Sequence, residues 1–202
     1  MGAGPAELWL RALQRLTASV AHELRNPLNG VALNLEVLRG RVGRTQLEPA
    51  SLTGFAEAAV ADLSAAIRLT DALLAVARPV REPVEAGGAL APIAVLASAV
   101  AASRGGSLRV ALPDEIPPLL ATDGDAVRGA IATVLLAAVE RGATVQCRVV
   151  YEPAAAVVEV EADDEFEMSG EAAAAIEACG IAVRARPGGV VMRIPRDGGG
   201  AR

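Results

Sequence analysis

Two long apolar stripes at helical spacing occupy the first part of this chain. Within residues 6–43, Leu13, Leu16, Val20, Leu24, Leu28, Val31, Leu35, Leu38 and Val42 recur every three or four positions. That spacing predicts one long helix with a continuous apolar face, ended by Gly40 and Gly43. A second stripe, Leu52, Phe55, Ala59, Leu63, Ile67, Thr70 and Leu74, predicts a helix over about residues 50–78, stopped at Pro79. The polar stretch 44–49, closed by Pro49, is short, so the two helices form an antiparallel hairpin. A lone hairpin cannot cover both stripes. A second copy can, as a four-helix bundle, so a homodimer is expected. Packing against the rest of the chain is the alternative.

Residues 79–88 (PVREPVEAGG) read as a linker. Beyond it, helices are expected at 89–103, 123–141 and 169–179. Strands are expected at 107–112, 144–151, 155–162, 181–186 and 189–194. The turns Glu152-Pro153 and Pro187-Gly188-Gly189 suit antiparallel pairs. The expected fold is α+β: a helical hairpin over 1–80, then a small unit over 88–196 with helices on one face of a mixed sheet. The run 87–103 is apolar, but it is Ala-rich, holds Pro92 and falls short of the ~20 residues a membrane span needs. A buried helix is expected there. The N-terminus has no basic segment followed by an apolar core, so no signal peptide is expected and the chain reads as cytoplasmic. The tail from Asp197 to Arg202 is glycine-rich.

Composition removes several functions. In 202 residues, 52% are hydrophobic, enough to bury a core. Aromatics are only 2%, too few for a surface that stacks single-stranded bases. A net charge of −5 argues against a general nucleic-acid binder. All 19 basic residues are arginine, so neither a phosphate-loop lysine nor Schiff-base chemistry is available. One histidine excludes a multi-histidine metal site, and Cys147 and Cys179 read as small apolar residues of a reduced protein. Charge also divides the chain: residues 1–81 carry net +2 and residues 82–202 net −7.

That one histidine, His22, falls between Val20 and Leu24, off the apolar stripe. Arg25 and Asn26 follow at i+3 and i+4, on the same face one turn on. Glu23 is adjacent and could hydrogen-bond an imidazole nitrogen, fixing the tautomer and raising the nucleophilicity of the other nitrogen. Pro27 removes the amide that would bond the Glu23 carbonyl and should kink the helix beside the site.

The segment His22-Glu23-Leu24-Arg25-Asn26-Pro27-Leu28 resembles the phospho-acceptor box of the histidine kinase superfamily. The resemblance implies a phosphorylated His22, with Glu23 as general base or orienter. It implies that Asn26 positions water when a response regulator is dephosphorylated, and that the hairpin dimerises. Arg25 is a candidate contact to the transferring phosphoryl group. The second unit is similar to the family's ATP-binding domain at its start (Leu108 to Pro118, then Ala121-Thr122-Asp123-Gly124-Asp125) and at its end (Ile176 to Pro195). The nucleotide chemistry between is missing. The family's asparagine box aligns with Thr133–Ala138, where Thr133 and Ala137 replace asparagines. The glycine-rich box reads Asp163-Asp164-Glu165-Phe166-Glu167; Asp163 could keep the adenine contact, but Glu165 and Glu167 stand at the glycine positions. Six acids within 159–167 would repel a triphosphate, and they are either a solvated loop or a surface for a basic partner. Only Met168 and Ser169 separate them from the last helix, so the nucleotide lid is absent.

The expected function is a phosphorelay histidine phosphotransferase. His22 would take a phosphoryl group from one response-regulator aspartate and pass it to another, mainly by positioning and charge stabilisation. No cofactor is expected on this chain, with Mg²⁺ expected on the partner receiver. Expected partners are a second copy, receiver domains and an upstream histidine kinase, with no nucleic acid and no membrane. The alternatives are a non-enzymatic module binding regulators or kinases, a response-regulator phosphatase using Asn26, and a weak histidine kinase.

Overall fold

The apolar periodicity becomes two long helices, α1 (Pro5–Val42) and α2 (Pro49–Ala77). The structure, a computed structural model, describes residues 4–42, 49–79, 84–113, 123–163 and 166–195. Helix α1 runs on through Pro27 rather than stopping there. The expected connection 44–49 falls largely on 43–48, and the glycine-rich tail on 196–202; both lie outside the described residues.

The chain continues as α3 (Ala86–Ser103), β1 (Ser107–Ala111), α4 (Gly124–Val139), β2 (Thr144–Glu152), β3 (Ala155–Ala162), α5 (Gly170–Glu177), β4 (Ala182–Arg186) and β5 (Gly189–Pro195). Helix α3 starts inside the stretch read as a linker. The Glu85 carboxylate accepts from the Gly87 and Gly88 amides and so satisfies donors a helix start leaves free. A pair of glycines that reads as a break is thereby made the first turn. Asp123 and Ser169 cap α4 and α5 in the same way.

The five strands form one sheet in the order β1-β2-β3-β5-β4. β1 and β2 are parallel, the direction that needs a crossover, and α4 lies between them in the chain. The other pairs are antiparallel. At the β4–β5 turn Pro187 fixes its own φ, and Gly188 takes φ of +72°, a conformation other residues rarely adopt. Val145, Cys147, Val149, Val158, Val160, Met192 and Ile194 turn inward, while Gln146, Arg148, Arg184 and Arg193 face out. The inward set packs with α3 and α4. The protein is therefore α+β, a helical hairpin followed by a small α/β unit with helices on one sheet face. Among the described helices, α3 alone is long and apolar enough to cross a membrane. Here Leu90, Ile93, Leu96 and Val100 are buried in the core.

The hairpin corrects one expectation. Leu8, Trp9, Ala12, Leu16 and Val20 of α1, with Leu69, Ala72 and Val76 of α2, share one core with α4 and the sheet. The base of the hairpin is thus covered by the rest of the chain, not by a second copy. Its far half is not: Leu28, Leu35, Val42, Leu63 and Ile67 stay exposed. Helix α2 is apolar on two sides. The line it buries is Ala59, Ala66, Leu69, Ala72 and Val76, which shares only Ala59 with the stripe read from the sequence. Small alanines let the two helices approach, which leaves the bulkier residues on the outer face.

Candidate functional site

Leu24 is the last residue of α1 that packs against the shared core, and His22 lies beside it on the solvent side. His22, Arg25 and Asn26 are all exposed. Successive helix positions turn by about 100°, so His22, Arg25 and Asn26 share a face, whereas Glu23 points about 100° away from His22. Asn26 Nδ2 donates to Glu23 Oε2 at 3.3 Å. Among the described residues no hydrogen bond joins Glu23 to His22. The carboxylate expected to orient the imidazole instead holds the amide one turn on. Asp62 of α2 sits two turns farther along, where Gly30 leaves room: a Cβ on Gly30 would clash with its carboxylate. Asn34 Nδ2 donates to Asp62 Oδ2 at 3.5 Å.

The positions aligned above with the family's nucleotide boxes lie on α4 and at the end of β3. Helix α4 is buried along almost its whole length. Gly129 is the reason α1 can lie so close: a Cβ there would come within 2.9 Å of Leu8 Cγ and 3.0 Å of the Trp9 amide nitrogen. Thr133, in place of an asparagine, lines a cavity of about 220 Å³ with Leu8, Ala12, Arg11 and Arg15 of α1. Ala137 has no polar side-chain atom. Asp163 is occupied: its Oδ1 accepts from the Thr144 amide at 2.8 Å and its own amide donates to the Thr144 carbonyl. The acidic run is not one solvated loop. Glu159 and Glu161 belong to β3, and Phe166 is buried and pins the segment to the core. Asp164 and Glu165 lie outside the described residues. Residues 163–169 join β3 to α5.

Residues 12–81 match the family described as the His Kinase A (phospho-acceptor) domain. The match spans α1 from Ala12, with His22, and the whole of α2. The match covers the hairpin and ends before α3. No curated protein matches the chain. Among solved structures, the chain is similar to the histidine kinase AdeS of Acinetobacter baumannii, with 13% identity and a TM-score of 0.43 over 87% of this chain and 98% of that one. It is also similar to the histidine kinase ThkA in a complex with the response regulator TrrA. That likeness has 15% identity and a TM-score of 0.42, over 93% of this chain and 63% of the other.

One group the sequence did not single out joins the helical hairpin to the α/β unit. Arg128 of α4 is only 4% exposed. Its guanidinium lies over the Trp9 ring, 4.5 Å from the centroid. It donates to the Val76 and Arg78 carbonyls at the end of α2, at 3.3 and 2.9 Å, and to Asp125 of its own helix. The signal that could have found it is a lone cation within an apolar helix.

Proposed function

We propose that this chain is a cytoplasmic phosphorelay histidine phosphotransferase that binds no ATP. What carries this reading is one contrast. The chain's only histidine stands exposed on a phospho-acceptor hairpin, while the helix that would hold a nucleotide is buried against α1. The His22 imidazole would attack the phosphorus of a receiver's aspartyl phosphate in line. The new bond is N–P, the bond that breaks is the acyl-phosphate P–O, and the aspartate leaves as a carboxylate. Transfer to a second receiver reverses the step with another carboxylate as nucleophile. Arg25, exposed beside His22 and without an ion-pair partner among the described residues, is placed to meet the phosphoryl oxygens. Mg²⁺ would reside on the receiver. The far half of the hairpin, with Leu63 and Ile67 uncovered, would pair with a second copy.

The test is to mix the protein with receiver domains charged by a labelled kinase. Acid-labile label on the wild type and none on His22→Ala is the expected result. No label, with faster loss of phosphate from one receiver, would replace the reading by a phosphatase centred on Asn26. A receiver that binds and keeps its phosphate would leave a non-catalytic binding module. Label acquired from Mg·ATP alone would overturn the claim about nucleotide.

A further inference from the structure

The contacts of Arg128 are unusual in what they join. Trp9 belongs to α1, Val76 and Arg78 stand at the end of α2, and Asp125 and Arg128 belong to α4. Three elements from two halves of the chain thus converge on one buried cation. Burying a guanidinium is unfavourable unless its charge is offset. Here the offsets are of three kinds. The Asp125 carboxylate neutralises it. The carbonyls at the C-terminus of α2 carry the negative end of that helix's dipole. The Trp9 ring presents its negative face. The last two are in place only when the hairpin and the α/β unit are docked as they are here. Undocking would leave the cation with Asp125 alone and the Trp9 indole bare.

We infer that Arg128 is a latch that locks the α/β unit onto the base of the helical hairpin, so the two move as one rigid body. Gly129 supports the same junction, since it admits the α1 backbone against α4. The exposed pairs Arg15–Glu140 at 2.7 Å and Arg11–Glu171 at 3.7 Å lie at its margin and contribute little. A fixed unit is a different device from a mobile one. It holds whatever surface it presents at constant distance from His22.

The test uses the full chain and needs no phosphoryl transfer, so its failure is separate from failure of the proposed function. Arg128→Met keeps the apolar stem and removes the fork. Trp9 is the only tryptophan, so its emission and its quenching by acrylamide report the junction directly. Amide exchange across β2 and β3 reports whether the α/β unit itself stays folded. The expected result is a more accessible Trp9, with exchange faster by about tenfold or more in Leu8–Leu16 and Leu69–Val76, and β2–β3 protection unchanged. Asp125→Asn should move the same amides less. Unchanged Trp9 quenching and exchange would overturn the latch. So would equal loss of protection at the junction and in β2–β3, which would make Arg128 an ordinary support of the whole fold.

Discussion

At the scale of single residues, the site is built from exposed side chains, and function there separates from stability. Arg25 is exposed and unpartnered among the described residues, so Arg25→Ala should leave the melting midpoint within the change expected of a surface site, about 0.5 kcal/mol. Under the proposed function it should slow receiver-to-His22 transfer by about tenfold, one charge-assisted contact in the transition state. Stopped-time transfer assays beside thermal melts would check both, and an unaffected rate would remove Arg25 from the site. Cys147 is the opposite case. Burial behind the sheet pushes its thiol up from the usual 9.0 to about 12. In that window the unfolded chain has lost the proton and the folded chain keeps it, so stability falls as pH rises, by at most about 1.4 kcal/mol per pH unit. Denaturant melts between pH 9 and 11 should show this slope in the wild type and a shallower one in Cys147→Ala. At pH 8 the same thiol should resist alkylation until the protein is unfolded, because thiolate is the reactive form. A slope identical in the two proteins would mean that the thiol is not as buried as it stands here.

At the scale of elements, glycine has opposite meanings in two helices. Gly54 in α2 has no atom near the place a Cβ would take. Gly54→Ala should stabilise by about 0.5–1 kcal/mol through helix propensity alone. Gly129 in α4 sits against the backbone of α1, which cannot rotate away as a side chain can. Gly129→Ala should therefore destabilise by about 1–3 kcal/mol despite the same gain in propensity. Urea melts of the pair decide it: two changes of the same sign would show that the α1–α4 contact is looser than described. Phe166 makes a further case. It is 2% exposed within an otherwise acidic segment, and Phe166→Ala should cost about 3–5 kcal/mol.

At the scale of the whole molecule, apolar surface is divided between what the chain covers itself and what it leaves for another copy. Leu33, at 66% exposed, lies with Leu28, Leu35, Val60, Leu63 and Ile67 on the uncovered half of the hairpin. Charges placed there should abolish pairing without unfolding the α/β unit, whose core lies at the other end. Light scattering of the Leu63→Glu, Ile67→Glu double variant should give the mass of one chain, against two for the wild type at micromolar concentration. A wild-type monomer would leave that apolar face to a partner of another kind.

Much of this molecule can be read along the chain. Helical spacing marks α1 and α2, alternation and turn residues mark the strands, and the run from His22 to Leu28 marks the candidate site. These are local patterns, set by neighbours within a few residues, and local geometry realises them directly. What covers an apolar face is a different matter. Periodicity states that a stripe must be buried, and it is silent on the partner. It is tertiary packing that assigns Leu8 to Val20 to the core of the α/β unit, seats α2 on its alanine line, and converts Gly87 and Gly88 from a break into a capped first turn. The same holds for Glu23, whose partner Asn26 depends on which way each side chain leaves the helix. It holds most for Arg128. Its contacts with Trp9, Val76 and Arg78 span at least fifty residues of sequence. No local rule joins such positions, and only the docking of hairpin on sheet unit brings them to one point.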